Sequence, residues 1–174
     1  MVPKVMAYFI KYLVVIEAFS DANWNILSGD FLSTTGYTFI LGSGAICWKS
    51  KKQTIIANST MEVELIVLAL ASEEANWLRD LFYEIPLWEK PIPTIVIHCD
   101  STAIIGRVKN RYYNDKSKPI RRKLSIVRYY LSSGIITVDC VKSNDNLTDS
   151  FTKALAKDRV WITLRGMRLK SIDP

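Results

Sequence analysis

Two apolar runs in this chain end on an aspartate. Val14, Val15, Ile16, Ala18 and Phe19 lead to Ser20-Asp21, and Thr94-Ile95-Val96-Ile97-His98-Cys99 leads to Asp100. β-Branched runs of this length read as buried strands, and in mixed α/β proteins ligand sites gather at the carboxyl ends of strands. One aspartate there is usually a solvated strand end or a helix cap; two in the same structural position point to a shared site. A third acid comes from Ser59-Thr60-Met61-Glu62-Val63-Glu64. Ser59 and Glu62 fit a capping box, which gives Glu62 a sufficient structural role. Glu64 lies about 200° around the helix from Glu62. It directly precedes Leu65, where an apolar stripe begins, so Glu64 is the glutamate expected to join the two aspartates. A fourth acid near the start of a later helix is either Asp145 or Asp149, and spacing does not choose between them.

Clustered carboxylates repel. A pair of unit charges about 4 Å apart costs about 4 kcal/mol at an effective dielectric around 20, so such a cluster persists when cations neutralise it. All-oxygen ligands suit magnesium or manganese rather than zinc. Two such ions can activate a water and stabilise the leaving oxygen of a phosphodiester. Rival chemistries lack their residues: His98 is the sole histidine, and the H-E-x-x-H, G-x-x-x-x-G-K-[ST] and G-x-S-x-G patterns are absent. His98 shares a strand face with Asp100 but lies two residues deeper, where a hydrogen-bonded core histidine is expected. Trp24, Trp48 and Trp77 are expected in the core.

The elements that must position these acids follow from periodicity. Tyr37 to Leu41 and Ala45 to Trp48 flank Gly42-Ser43-Gly44, a hairpin signature, and residues 54–57 suggest another short extended piece. Leu65, Leu68, Ala71, Ala75, Leu78 and Phe82 recur at spacings of three and four, giving a helix that Ile85-Pro86 ends. Short helices are expected after Ser101 and over residues 124–131, the latter closed by Gly134. Residues 135–141 form a third β-branched run, 145–156 read as a further helix, and a polar, basic tail follows from Asp158. Together these predict a mixed five-stranded sheet flanked by helices, with strands near 13–20, 94–99 and 135–141 central and parallel.

The 174 residues suit one domain with a sizeable core, and 49% hydrophobic against 23% charged residues excludes wholesale disorder. Cys47, Cys99 and Cys140 are too far apart for a C-x-x-C metal pair, and buried reduced thiols in a cytosolic or nuclear, non-secreted protein are expected. The sequons at Asn58 and Asn146 then carry no sugar. Val5 to Ile16 is apolar except for Lys11, too short to span a bilayer, and implies no membrane partner. A net charge of +6 suits a polyanion, but its distribution matters more. Between positions 107 and 123, Arg107, Lys109, Arg111, Lys116, Lys118, Arg121, Arg122 and Lys123 stand against one acid, Asp115, with Tyr112 and Tyr113 among them. This density favours phosphate contact over a merely solvated loop.

Several segments resemble the ribonuclease H domain of copia-type retrotransposon polyproteins, closest to plant elements. They are Ser20-Asp21-Ala22-Asn23-Trp24, Ser33-Thr34-Thr35-Gly36-Tyr37, residues 44–53, Ser59 to Glu64, Trp77-Leu78-Arg79, His98-Cys99-Asp100-Ser101, and Asn146-Leu147-Thr148-Asp149 with Thr152-Lys153. The resemblance runs in family order from about Tyr12 to Lys170. It implies a ribonuclease H-like fold, cleavage of the RNA strand of an RNA–DNA hybrid, and two magnesium ions, for which manganese can substitute. It implies that Asp21, Glu64, Asp100 and Asp149 are both the catalytic and the metal-binding residues, choosing Asp149 over Asp145. It also implies that the basic stretch grips the hybrid and that a reverse transcriptase precedes the domain in an intact polyprotein. Residues 1–11 then look like a remnant of that polymerase, 12–157 the ribonuclease H-like domain, and 158–174 a basic C-terminal tail. Relatives often carry Asp where Asn23 stands, and a histidine in the basic stretch where this chain reads Lys118-Pro119-Ile120. An inactive relic that only binds nucleic acid is the rival reading. Another nuclease or integrase of the same broad fold ranks behind it, because those lack the Ser-Thr-Met-Glu-x-Glu helix start.

Overall fold

A computed structural model describes residues 15–24, 33–54, 57–86, 88, 90–110 and 117–169. Five strands form one sheet in the order β3-β2-β1-β4-β5: β1 (Ile16–Asn23), β2 (Thr34–Leu41), β3 (Gly44–Lys52), β4 (Ile95–Cys99) and β5 (Ile136–Cys140). The first three are antiparallel neighbours, whereas β4 runs parallel to both β1 and β5. The β2–β3 connection is the expected hairpin. Gly42 (φ 57°) and Ser43 (φ 69°) both take positive φ, as a two-residue turn matched to strand twist requires.

Along β1, Ile16, Ala18 and Ser20 turn into the core while Glu17, Phe19, Asp21 and Asn23 take the opposite face. Helix α1 (Thr60–Glu84) covers the core face. Ser59 accepts the Glu62 N–H as its N-cap, and the Glu62 carboxylate accepts the Asn58 N–H at 2.8 Å, one residue before the Ser59 N–H that a standard capping box engages. The apolar stripe is buried as expected. Val63, Ile66, Val67, Ala69 and Ser72 are buried as well, because α3 (Lys118–Ser132) flanks α1 and widens its apolar arc. Fully buried residues such as Leu65 and Leu68 each contribute about 1.5–3 kcal/mol through burial. The short α2 (Thr102–Lys109) links β4 toward α3.

The structure corrects several expectations. β5 is an edge strand rather than a central one, with Thr137 and Asp139 exposed on its outer face. Helix α4 is a single turn, Asp149–Thr152, preceded by a 3-10 turn at Ser143–Asp145, where a longer helix was expected over 145–156. The cause is Asn146, whose side-chain oxygen accepts from the Thr148 N–H (3.2 Å) and hydroxyl (2.6 Å), competing with helical pairing. Residues 157–166, expected at the domain boundary and in the tail, form helix α5 (Lys157–Gly166), and Met167 behind it is fully buried. Trp48 and Trp77 lie more than half exposed rather than in the core, although Trp24 packs partly against it. Cys99 is buried, Cys47 partly so and Cys140 exposed, all with free thiols. No helix among the described residues is long and apolar enough to cross a membrane. Residues 1–11, Ile55, Ile56, Tyr112, Tyr113 and Asp115 lie outside the described residues.

Candidate active site

Asp21 sits inside β1, not at its end, because pairing with β2 continues through Asn23–Thr34 and sets Asp21 opposite Gly36. Gly36 leaves room for α4: a Cβ there would stand 2.8 Å from Thr152 Cγ2 and 3.0 Å from Phe151 Cβ. The segment carrying α4 is tied down from three sides. Asn146 donates to the Ser20 carbonyl (3.0 Å), Asn23 to the Thr152 carbonyl (3.1 Å) and Ser50 to the Phe151 carbonyl (2.7 Å). These bonds set Asp149 and Thr152 over Asp21. The Thr152 hydroxyl donates to Asp21 Oδ2, and Lys153 Nζ bridges Asp21 Oδ1 (3.2 Å) and Asp149 Oδ1 (2.8 Å).

The second pair assembles where β4 meets the start of α1. Asp100 follows Cys99 directly and accepts from the Ser143 hydroxyl at 2.9 Å. Glu64, half-buried at the first turns of α1, lies near the Ser101 side chain, which favours its ionised form. Because β1 and β4 are adjacent and parallel, with Phe19 opposite His98, Asp21 and Asp100 emerge side by side.

The four acids act on one another electrostatically. Burial pushes the Asp21 carboxyl up from its ordinary value; Thr152 and Lys153 oppose that shift and Asp149 adds to it. Burial likewise raises Glu64, opposed by Ser101 and reinforced by the charges of Asp100 and Asp21. Burial would lower the Lys153 ammonium, but Asp149 and Asp21 outweigh it and hold its pKa above the ordinary value. Among the described residues, no three His, Cys, Asp or Glu side chains converge on one ion-sized point. The acids stand as two pairs, and an ammonium already occupies one of them.

His98 is not the hydrogen-bonded core histidine expected: its ring lies 4.9 Å from that of Phe19, with Nε2 3.7 Å from Glu17. The basic stretch divides. Arg107 is buried, 7% exposed, with Nη1 2.9 Å from Met61 Sδ, so its assignment to a nucleic-acid face is corrected. Lys109, Lys118, Arg121 and Arg122 are exposed, whereas Lys123 is partly covered and pairs with Glu73 at 3.4 Å. Lys118, Arg121, Arg122 and Lys123, with Glu73 of α1, line an open groove of about 850 Å³ beside α3. Arg111 and Lys116 lie outside the described residues. Pro119 falls in the first turn of α3, where its missing N–H costs nothing.

Sequence reasoning missed three working residues here. Lys153 stands four residues after Asp149, a spacing that pairs opposite charges on a helix and was available as a signal. Thr152 and Asn23 reach their partners across more than 120 positions, which no local pattern reveals.

No protein-family model matches the chain. It is 32% identical over 142 residues to the retrovirus-related Pol polyprotein from transposon RE2 of Arabidopsis thaliana, covering 82% of this chain and 10% of that one. The Pol polyprotein from transposon TNT 1-94 of Nicotiana tabacum is 30% identical over 148 residues, 83% of this chain and 11% of its own. The chain thus spans about a tenth of the length of these curated relatives. Among solved structures, the N-terminal RNase H domain of rv2228c from Mycobacterium tuberculosis aligns with a TM-score of 0.58 at 13% identity, over 87% of this chain and 97% of that one. LC11-RNase H1, isolated from compost and solved in complex with an RNA/DNA hybrid, aligns with a TM-score of 0.55 at 13% identity, over 78% and 92%. At such identities these structures show the fold, and the Pol sequences supply the kinship. The chain belongs to the retrovirus-related Pol polyproteins of retrotransposons, as the segment with the ribonuclease H fold.

Proposed function

We propose that the chain is a copia-type ribonuclease H that hydrolyses the RNA strand of RNA–DNA hybrids, using divalent metal held by Asp21, Glu64, Asp100 and Asp149. One observation carries this reading: four acids from four separated segments gather as two pairs beside the parallel β1–β4 strands, Asp149 bridged to Asp21 by Lys153 and Glu64 within electrostatic reach of Asp100 and Asp21. Their donor set fits a hard cation such as magnesium or manganese. It is all oxygen, and burial and like charge already disfavour the ionised forms of Asp21 and Glu64, a cost that a cation relieves. When bound, the metal supplies water activation and stabilisation of the leaving oxygen. The protein's own residues do the positioning. Thr152 orients Asp21 and Ser143 orients Asp100 through hydrogen bonds from their hydroxyls.

The hybrid is held by Lys109, Lys118, Arg121, Arg122 and Lys123, with Arg111 and Lys116 between them in sequence. Lys118 and Arg121 lie in the first turn of α3, with Arg122 just beyond it, where the positive end of the helix dipole disfavours cations. Phosphate on that surface would offset this cost. In the intact polyprotein the partner is the upstream reverse transcriptase.

The test is substrate selectivity. In magnesium, the purified chain should cut a labelled RNA strand paired with DNA and leave duplex DNA and single-stranded RNA intact. Hybrid binding without cleavage would favour the relic reading, and equal cutting of all three substrates would contradict the hybrid specificity.

A further inference from the structure

We infer that Lys153 is a built-in counterion that holds the Asp21–Asp149 pair together before a divalent cation arrives, and that it must withdraw to admit one. The inference rests on the proposal that these acids bind metal. Lys153 Nζ lies 2.8 Å from Asp149 Oδ1 and 3.2 Å from Asp21 Oδ1, and those carboxylates are only 8% and 3% exposed at their side chains. Lys153 already takes one oxygen of each carboxylate, so an ammonium and a divalent cation would compete for the charge of this one buried pair.

Lys153 is also built to leave. Its backbone is pinned, the N–H donating to the Asp149 carbonyl at 3.0 Å as α4 ends. Its side chain is 35% exposed, so the flexible four-carbon stem can carry the charge into solvent while the backbone stays still. Thr152 keeps its hydroxyl on the other oxygen of Asp21 throughout, which preserves that carboxylate's orientation during the exchange. The metal-free site therefore avoids two adjacent uncompensated carboxylates without sealing the site against metal.

Lys153→Met keeps length and removes charge. Manganese titration followed by electron paramagnetic resonance, with thermal unfolding in EDTA, tests the idea on the full chain. The variant should bind manganese at least about tenfold more tightly than the wild type, equivalent to about 1.4 kcal/mol. It should also unfold at a lower temperature in EDTA and regain stability when manganese is added. A residue with only a structural role would not tighten metal binding when removed. Equal or weaker binding by Lys153→Met, beside normal binding by the wild type, overturns the role of Lys153 alone. Absence of binding in the wild type itself overturns the metal reading, and the inference with it. Should Lys153→Met fail to fold in both conditions, Asp149→Asn is combined with it. Recovery of folding in the double variant supports charge compensation, and continued unfolding overturns it.

Discussion

Glu62 and Glu64 share a helix turn, and the structure gives them separate employment. Glu62 accepts the Asn58 N–H and caps α1, while Glu64 faces Ser101 and feels Asp100 and Asp21. Glu62→Gln should leave cleavage unchanged, and Glu62→Ala should cost about 0.5–2 kcal/mol of stability without touching the chemistry. Glu64→Gln should abolish magnesium-dependent cleavage and, in metal-free buffer near neutral pH, raise the thermal midpoint. The sign follows from the direction of the shift. Burial raises the folded-state pKa of Glu64, so a penalty on folding builds up as pH rises from the ordinary carboxylate range and is complete above the raised value. The gain in the variant should therefore shrink as pH falls through the raised pKa and vanish below the ordinary carboxylate range. Paired unfolding and cleavage curves check both claims; cleavage lost in Glu62→Gln but kept in Glu64→Gln would place the site on the wrong helical face. The separation of Glu62 at the cap from Glu64 toward Asp100 and Asp21 was legible because helical period and capping are local rules. The burial of Arg107 was not, because local charge density does not report packing against Met61.

At the scale of elements, β1, β4, the hairpin and α1 were readable because each carries its own period and punctuation. The α4 segment was not, since it owes its shape to bonds from Asn146, Asn23 and Ser50 rather than to helix propensity. Gly36 marks where this dependence is most exposed. Gly36→Ala should push α4 off β2, costing roughly 1–3 kcal/mol as an overpacked substitution, and should lower cleavage by displacing Asp149 from Asp21. Calorimetry with initial-rate assays measures both, and an unchanged protein would show that α4 tolerates a methyl beneath it. Helix α3 permits a separate test of binding. Neutralising Lys118, Arg121 and Arg122 should weaken hybrid affinity and reduce the slope of log K against log salt by roughly 0.9 for each phosphate that is no longer neutralised. An unaltered slope would mean that these three charges are only solvated.

The whole molecule follows a division of labour. One sheet face, under α1 and α3, carries the core, while the opposite face carries Asp21 and the α4 segment with Asp149, and Glu64 joins them from the start of α1. The mixed five-stranded architecture was legible from three β-branched runs and a hairpin. The edge position of β5 and the helix at residues 157–166 were not, because both depend on which surfaces remain uncovered after the core closes. The central claim is that this acid cluster is a metal-dependent nuclease site acting on RNA in hybrids. One gel tests it: a labelled RNA–DNA hybrid incubated with the wild type and with Glu64→Gln, each in magnesium and in EDTA. Fragments should appear only for the wild type in magnesium. Fragments in EDTA, or from Glu64→Gln, or none from a wild type that binds the hybrid, would contradict the claim.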